Sequence, residues 1–209
     1  MIISYFFGLV ISYLIGSIPF GYVIAIAKGV DVRKQGSGNI GATNVGRVLG
    51  RKYGAIIFVL DLLKGFVVVL LVPILVSETK FPTTSDNLLV ILCGLCAIFG
   101  HAFPVYLGFK GGKAVATSFG VFIWLSPIPV AMAFGVWILT VAISRYVSLG
   151  SMVGTIALVG GIIGLGRAPF GSEKYLTALS IAVAVLIIVR HISNIKRIIA
   201  GTETKVLAK

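Results

Sequence analysis

Hydrophobic positions along this chain do not alternate with polar ones; they fall in long runs at about 2–27, 54–76, 87–107, 113–125, 127–143, 148–166 and 175–192. A bilayer's hydrocarbon core takes about 20 consecutive apolar helical residues, and no water there satisfies a backbone amide, so such runs predict membrane-spanning helices. The absence of a two-residue period excludes a membrane β-barrel. The fourth run is short, but Pro127 and Pro129, after the turn signal at Ser126, break the stretch from 113 to 143 into two helices rather than one. The pattern therefore predicts an all-α polytopic membrane protein of about seven transmembrane helices, one helical domain over residues 1–209 with short connections. The opening run lacks a basic leader and a small-residue cleavage site, and Gly16, Ser17 and Pro19 interrupt it, so it is expected to remain as the first helix.

Composition sharpens this picture. Charged residues are 11% of the chain against 58% hydrophobic, where a soluble domain carries roughly 25% charged. A net charge of +12 would suit nucleic acid, but the Lys and Arg residues lie between apolar runs, where the positive-inside rule already expects them, so no nucleic-acid partner is expected. Lys28, Arg33, Lys34, Arg47, Arg51 and Lys52 crowd the first loop and place it in the cytoplasm with the N-terminus outside. Seven crossings then put Lys110, Lys113, Arg145, Arg190, Lys196, Arg197, Lys205 and Lys209 inside, with a cytoplasmic C-terminus, and leave only Lys80, Arg167 and Lys174 outside. Glu78, Asp86 and Glu173 also fall outside. Cys93 and Cys96 have redox-motif spacing but sit in an apolar run, where small packed residues are expected instead. The 26 glycines favour close helix approach, as at Gly154, Gly160, Gly161 and Gly164 of the sixth predicted helix.

Three strings concentrate the remaining polarity. GSGNIGATNVGR, Gly36 to Arg47, combines Gly36 and Gly38 with Ser37, Asn39, Thr43, Asn44 and a terminal arginine. Glycines let successive N–H groups curl around an anion, and a guanidinium supplies a forked contact to phosphate. The string is not a Walker A loop, since no Gly-Lys-Ser/Thr closes it, and a flexible polar loop is its plain alternative. GHAFPVYLGFKGGKAVAT, Gly100 to Thr117, sets Lys110, Gly111, Gly112 and Lys113 before a helix start, where unpaired N–H groups and two ammonium groups converge on one anion. His101 lies within the preceding apolar run, a place from which an ionisable group faces the bundle interior or an aqueous cavity. RHISNIKRIIAGTE, Arg190 to Glu203, places Arg190, His191 and Asn194 on nearby helical faces, although a basic tail attracted to anionic lipid reads the same. Asp61 and Lys64 are spaced to pair within the second helix. Ser148 is expected to cap the sixth helix and Ser151 to cap it or donate to a ligand. Carboxylates and histidines are too few and scattered for a metal shell, and no cofactor is expected. All three strings fall on the cytoplasmic face in this topology, which carries more weight than any one of them.

In order and spacing, these strings resemble the bacterial acyl-phosphate:glycerol-3-phosphate acyltransferases, the PlsY family, and the resemblance extends to DLLKG in the second helix and SLGS before the sixth. It implies a seven-helix enzyme of the bacterial inner membrane with its active site facing the cytoplasm. Such an enzyme moves a fatty acyl group from acyl phosphate to the sn-1 hydroxyl of glycerol 3-phosphate, giving lysophosphatidic acid and phosphate in phospholipid synthesis. Its partners would be those two substrates, membrane lipid and the enzyme that supplies acyl phosphate. The resemblance assigns Ser37 and Arg47 to substrate and phosphate contacts, Gly111, Gly112 and Lys113 to glycerol 3-phosphate, His191 and Asn194 to the third motif, and Glu203 to a structural role. Catalytic weight is expected on Ser37, Arg47, Lys113, His191 and Asn194. Substrate binding is expected of Gly36, Gly38, Asn39, Thr43, Asn44, Lys64, His101, Lys110, Gly111, Gly112 and Ser151. A small anion transporter or a lipid-binding scaffold are the other classes weighed. The outer loops offer a transporter no matching polar cluster, and a scaffold has no use for such dense hydrogen-bonding strings.

Overall fold

The computed structural model of the protein describes residues 2–76 and 88–206; Glu78, Lys80, Asp86 and Lys209 lie outside the described residues. Every regular element among the described residues is helical: α1 Ile2–Ser17, α2 Phe20–Ala27, α3 Ala42–Leu49, α4 Arg51–Val76, α5 Leu88–Ala102, α6 Val115–Leu125, α7 Pro127–Ser144, α8 Val147–Leu165, α9 Lys174–Arg190 and α10 Ile192–Ile199. The first predicted run is thus two helices. Pro19 has no N–H to continue α1, and the chain restarts at Phe20. Ser126 and Pro127 divide α6 from α7 as the sequence predicts.

Five stretches among the described residues are long and apolar enough to cross a bilayer: Tyr5–Ala27, Arg51–Leu75, Leu88–Leu107, Pro127–Ser144 and Val147–Leu165. A sixth arises if α9 and α10, bent by 52°, are one span. The expected fourth crossing is α6, whose 11 residues rise roughly 16 Å, about half the hydrocarbon thickness. The turn Lys110–Ala114 takes up the residues before it that would otherwise lengthen the helix.

The chain divides into two compact units, Met1–Trp124 and Leu125–Lys209. In the first, Val68 and Val72 of α4 and Leu89, Cys93 and Ala97 of α5 bury one another with Leu9 and Ile15 of α1 against them. Small residues set the separations. A Cβ on Gly16 would lie 2.6 Å from the Ala97 Cα, and one on Gly100 would lie 2.8 Å from the Ser17 nitrogen, so α1 and α5 cross with backbones in contact. Gly65 and Gly120 do the same for α4 and α6. A second cluster, Ala25, Val32, Ile40, Val45 and Ile57, seats the first loop and α3 on α2 and α4.

In the second unit, α8 lies against α7 through Gly150, Gly154 and Gly161, whose added Cβ atoms would meet Trp137, Ala133 and Pro129. Gly160 and Gly164 correct the sequence expectation, since nothing lies within 4 Å of a Cβ at either. The α7 residues that pack on Gly154 and Gly161 do not reach either position. Ile128, Met132, Ile138, Leu139 and Ile143 of α7 are exposed, an apolar stripe that suits lipid as its solvent.

Candidate active site

Before α3, the first string forms a loop organised around one buried amide. Asn44 is 1% exposed and its Nδ2 donates to the carbonyls of Val32, Gln35 and Asn39 at 3.1, 3.1 and 2.9 Å. Its Oδ1 accepts from the Ser37 N–H at 2.7 Å. Asn44 therefore spends its hydrogen-bonding capacity inside the loop, and its position gives it the role of a pin rather than a ligand contact. Gly36 and Gly38 adopt φ of 59° and 70°, and a Cβ on Gly36 would overlap the Asn44 carboxamide oxygen. Asn39 Oδ1 accepts from Gly41 N–H at 2.9 Å, closing the turn that starts α3. These pins leave Ser37 exposed on the loop and Thr43 and Arg47 exposed one helical turn apart on α3. Beside it, Asp31 caps a short 3-10 turn and pairs with Arg33 at 2.8 Å; the hydrogen bond from that guanidinium draws the Asp31 carboxyl down to about 2.

The second string turns sharply between α5 and α6. Gly108, Phe109 and Ala114 are left-handed, with φ of 57°, 63° and 61°, and Ala114 is fully buried. Holding two non-glycine residues there costs about 1–2 kcal/mol each, which the surrounding packing must sustain. Lys110 is exposed, Lys113 half-buried, and the first helical bond of α6 runs from Ser118 N–H to the Ala114 carbonyl at 2.8 Å. Gly112 N–H donates to the His101 carbonyl at 3.1 Å, which folds the turn back on the end of α5. Tyr13 of α1 donates to the Phe103 carbonyl at 2.7 Å from the other side.

The Asp61–Lys64 pair anticipated from spacing forms at 2.8 Å and is almost fully buried. It has two partners that spacing does not reveal: Lys64 Nζ donates to the Ile18 carbonyl at 2.8 Å, and His101 Nδ1 lies 3.5 Å from Asp61 Oδ1. Among the described residues no three His, Cys, Asp or Glu side chains form a metal-holding group.

The third string, in the second unit, is built around Glu203. Its Oε1 accepts from Ser148 Oγ at 2.9 Å and Asn194 Nδ2 at 2.6 Å, and its Oε2 from Arg197 Nε at 2.7 Å. Burial pushes the Glu203 carboxyl up, but the bonds from Arg197, Asn194 and Ser148 outweigh it and hold it below the usual carboxylate range. Ser148 consequently does not cap α8, whose N-cap is Tyr146 and has no side-chain cap. Ser151 Oγ donates back to the Val147 carbonyl at 2.9 Å. His191 occupies the joint between α9 and α10, and its Nδ1 bonds the Ile187 carbonyl at 2.8 Å. A carbonyl only accepts, so Nδ1 carries the proton and in the neutral ring Nε2 holds the lone pair. The strap continues to Val206, whose N–H reaches the Arg145 carbonyl at 2.8 Å. The structure thus ties Ser37 and Asn39 to Asn44, with Thr43 and Arg47 on the same short helix as Asn44, sets Gly112 on His101, and gathers Ser148, Asn194 and Glu203.

Comparison with known proteins agrees along nearly the whole chain. The family model for glycerol-3-phosphate acyltransferase matches residues 6–201. A relative from Bacillus anthracis, glycerol-3-phosphate acyltransferase 2, is 47% identical over 95% of this chain and 97% of its own. One from Desulfotalea psychrophila, glycerol-3-phosphate acyltransferase, is 45% identical over 92% and 93%. The fold is similar to that of PlsY, an integral membrane glycerol 3-phosphate acyltransferase, in its glycerol 3-phosphate form: TM-score 0.87 and 41% identity over 97% of this chain and 96% of that one. The lysophosphatidic acid form gives 0.84 and 40% over 97% and 95%.

Proposed function

The chain belongs to the glycerol-3-phosphate acyltransferase family, and on that footing we propose that it transfers a fatty acyl group from acyl phosphate to the sn-1 hydroxyl of glycerol 3-phosphate. The observation that carries this reading is the pairing of a pinned loop presenting Ser37, Thr43 and Arg47 with a glycine turn presenting Lys110 and Lys113, both in the first unit. Two substrates that each bear a phosphate account for such a surplus of cationic and N–H donors.

In this mechanism the sn-1 oxygen attacks the acyl carbonyl carbon, forming the ester C–O bond while the C–O bond to phosphate breaks. The hydroxyl proton leaves on the departing phosphate. An acyl phosphate is already activated, so the protein supplies orientation and charge stabilisation, with no covalent intermediate. Arg47, Lys110 and Lys113 clamp phosphate; the Ser37 hydroxyl adds a donor, and Gly111 and Gly112 shape the turn that carries the lysines. Ser151, His191 and Asn194 of the second unit carry the roles that the sequence assigns them, substrate binding for the first and catalysis for the other two. A second reading has His191 as general base, favoured by the lone pair that the Ile187 contact assigns to Nε2. The positive-inside distribution supports a site at the cytoplasmic face of a bacterial inner membrane, with the N-terminus outside.

Purified protein given palmitoyl phosphate and glycerol 3-phosphate should release phosphate and lysophosphatidate in equal amounts, and acyl-CoA should not replace the donor. Turnover with acyl-CoA alone refutes the donor assignment; no turnover with either refutes the activity. Substituting Lys113→Met should raise KM for glycerol 3-phosphate. His191→Gln retaining most of its turnover eliminates the base, and an acylated Ser37 trapped during turnover overturns direct transfer.

A further inference from the structure

Three ionisable side chains sit in the membrane-spanning part of the first unit, where Asp61, Lys64 and His101 are 3%, 5% and 5% exposed. Charges removed from water are costly unless each finds compensation, so an arrangement like this persists where it does something. Lys64 closes the break between α1 and α2: its ammonium bonds the Ile18 carbonyl just before Pro19 and lies 5.6 Å from the centre of the Phe20 ring. Asp61 neutralises it at 2.8 Å.

The same Asp61 oxygen faces His101 Nδ1. The imidazole beyond it lies directly beneath Gly112: a Cβ there would stand 2.9 Å from both Cδ2 and Cε1 and would overlap Nε2. The His101 carbonyl accepts the Gly112 N–H, and a Cβ on Gly111 would overlap that carbonyl and come within 2.7 Å of the Ala102 oxygen. Both glycines are therefore moulded on His101, one on its ring and one on its main chain. The ring's height and tilt set where the turn runs, and hence where Lys113 and the first N–H groups of α6 point.

We propose that Asp61 and His101 are positioning residues for the turn Lys110–Lys113: Asp61 orients the imidazole, and the imidazole props Gly112. This rests on the reading of that turn as the phosphate site for glycerol 3-phosphate, and it departs from the expectation that His101 and Lys64 touch substrate themselves.

The test uses the full chain with palmitoyl phosphate and glycerol 3-phosphate. His101→Asn leaves the Asp61–Lys64 pair intact. The pair Asp61→Asn with Lys64→Met removes both charges together and strands neither. Each should raise KM for glycerol 3-phosphate about 10- to 100-fold, the scale of an ångström's misplacement, while kcat at saturation and KM for acyl phosphate stay within about threefold. Combining all three substitutions should be no worse than His101→Asn alone, because Asp61 acts through the ring. An unchanged glycerol 3-phosphate KM in His101→Asn overturns the proposal, as do multiplicative effects in the combination or a loss confined to kcat. Should the paired variant fail to unfold cooperatively, His101→Asn decides by itself, with Gly112→Ala as its companion: the ring clash predicts the same KM increase. Lys113→Met separates the two levels. If it raises KM and His101→Asn does not, only the positioning role falls; if Lys113→Met leaves KM unchanged, the phosphate reading of the turn falls with it.

Discussion

Removing the Glu203 carboxylate should loosen the end of the chain from α8 and α10 by a predictable amount. The side chain is 3% exposed and receives three hydrogen bonds, from Ser148, Asn194 and Arg197. A bond to a charged acceptor contributes about 1.5–3 kcal/mol, but the three are not additive. Arg197 is 35% exposed and reaches water when released, so its share is discounted. Ser148 and Asn194, at 6% and 4% exposure, each lose the acceptor that Glu203 supplies. Together these give Glu203→Ala a loss of about 3–5 kcal/mol. Glu203→Gln keeps a neutral acceptor for Ser148 and Asn194 but turns an amide N–H₂ toward Arg197, for a loss of about 1–2 kcal/mol. The assay is thermal unfolding of the detergent-solubilised protein, where about 2–4 °C per kcal/mol is expected for a chain of this size. The sign with pH follows from the depressed carboxyl: its stabilisation is full above the ordinary Glu value of about 4.3 and is lost as pH falls through the folded value. Glu203→Gln should flatten that acid limb. An alanine variant melting with the wild type, or an acid limb unchanged in the glutamine variant, refutes the reasoning.

Asn44→Asp replaces two donors facing three carbonyls with an acceptor, so the loop 32–39 should open; hydrogen exchange there should accelerate and glycerol 3-phosphate turnover should fall at least tenfold, ~1.4 kcal/mol. Lys64→Met alone strands the Asp61 charge and should destabilise by about 3–5 kcal/mol, more than the paired change with Asp61→Asn, as read by denaturant titration in micelles. Gly16→Val should force α1 off α5 and lower the melting point by an amount equivalent to about 1–3 kcal/mol or more, whereas Gly160→Ala and Gly164→Ala, with open space at both positions, should melt within about 2 °C of wild type or slightly above.

Much of this architecture was legible in the order of residues. Apolar runs without alternation force helices because lipid offers a backbone amide no other partner, and the prolines at 127 and 129 mark the break between α6 and α7 because they lack the N–H that continues a helix. The i, i+3 spacing of Asp61 and Lys64 announced their ion pair, since neighbours on one helix face are fixed by local geometry alone. The proposed phosphate-binding role of Gly36–Arg47 and Lys110–Lys113 likewise rests on composition. What local pattern could not reveal was which of those polar residues face inward. Asn44 and Thr43 look alike in the string, yet one is buried as the loop's pin and the other exposed, because α3 packs on α4 through one face only. Gly160 and Gly161 are adjacent and identical, and only the position of α7 separates an open site from a packed one. His101 meets Asp61 across 40 residues of chain, and Ser148 meets Glu203 across 55. Contacts of that kind depend on how whole helices cross, a sum over many small packing terms that no short stretch of sequence contains.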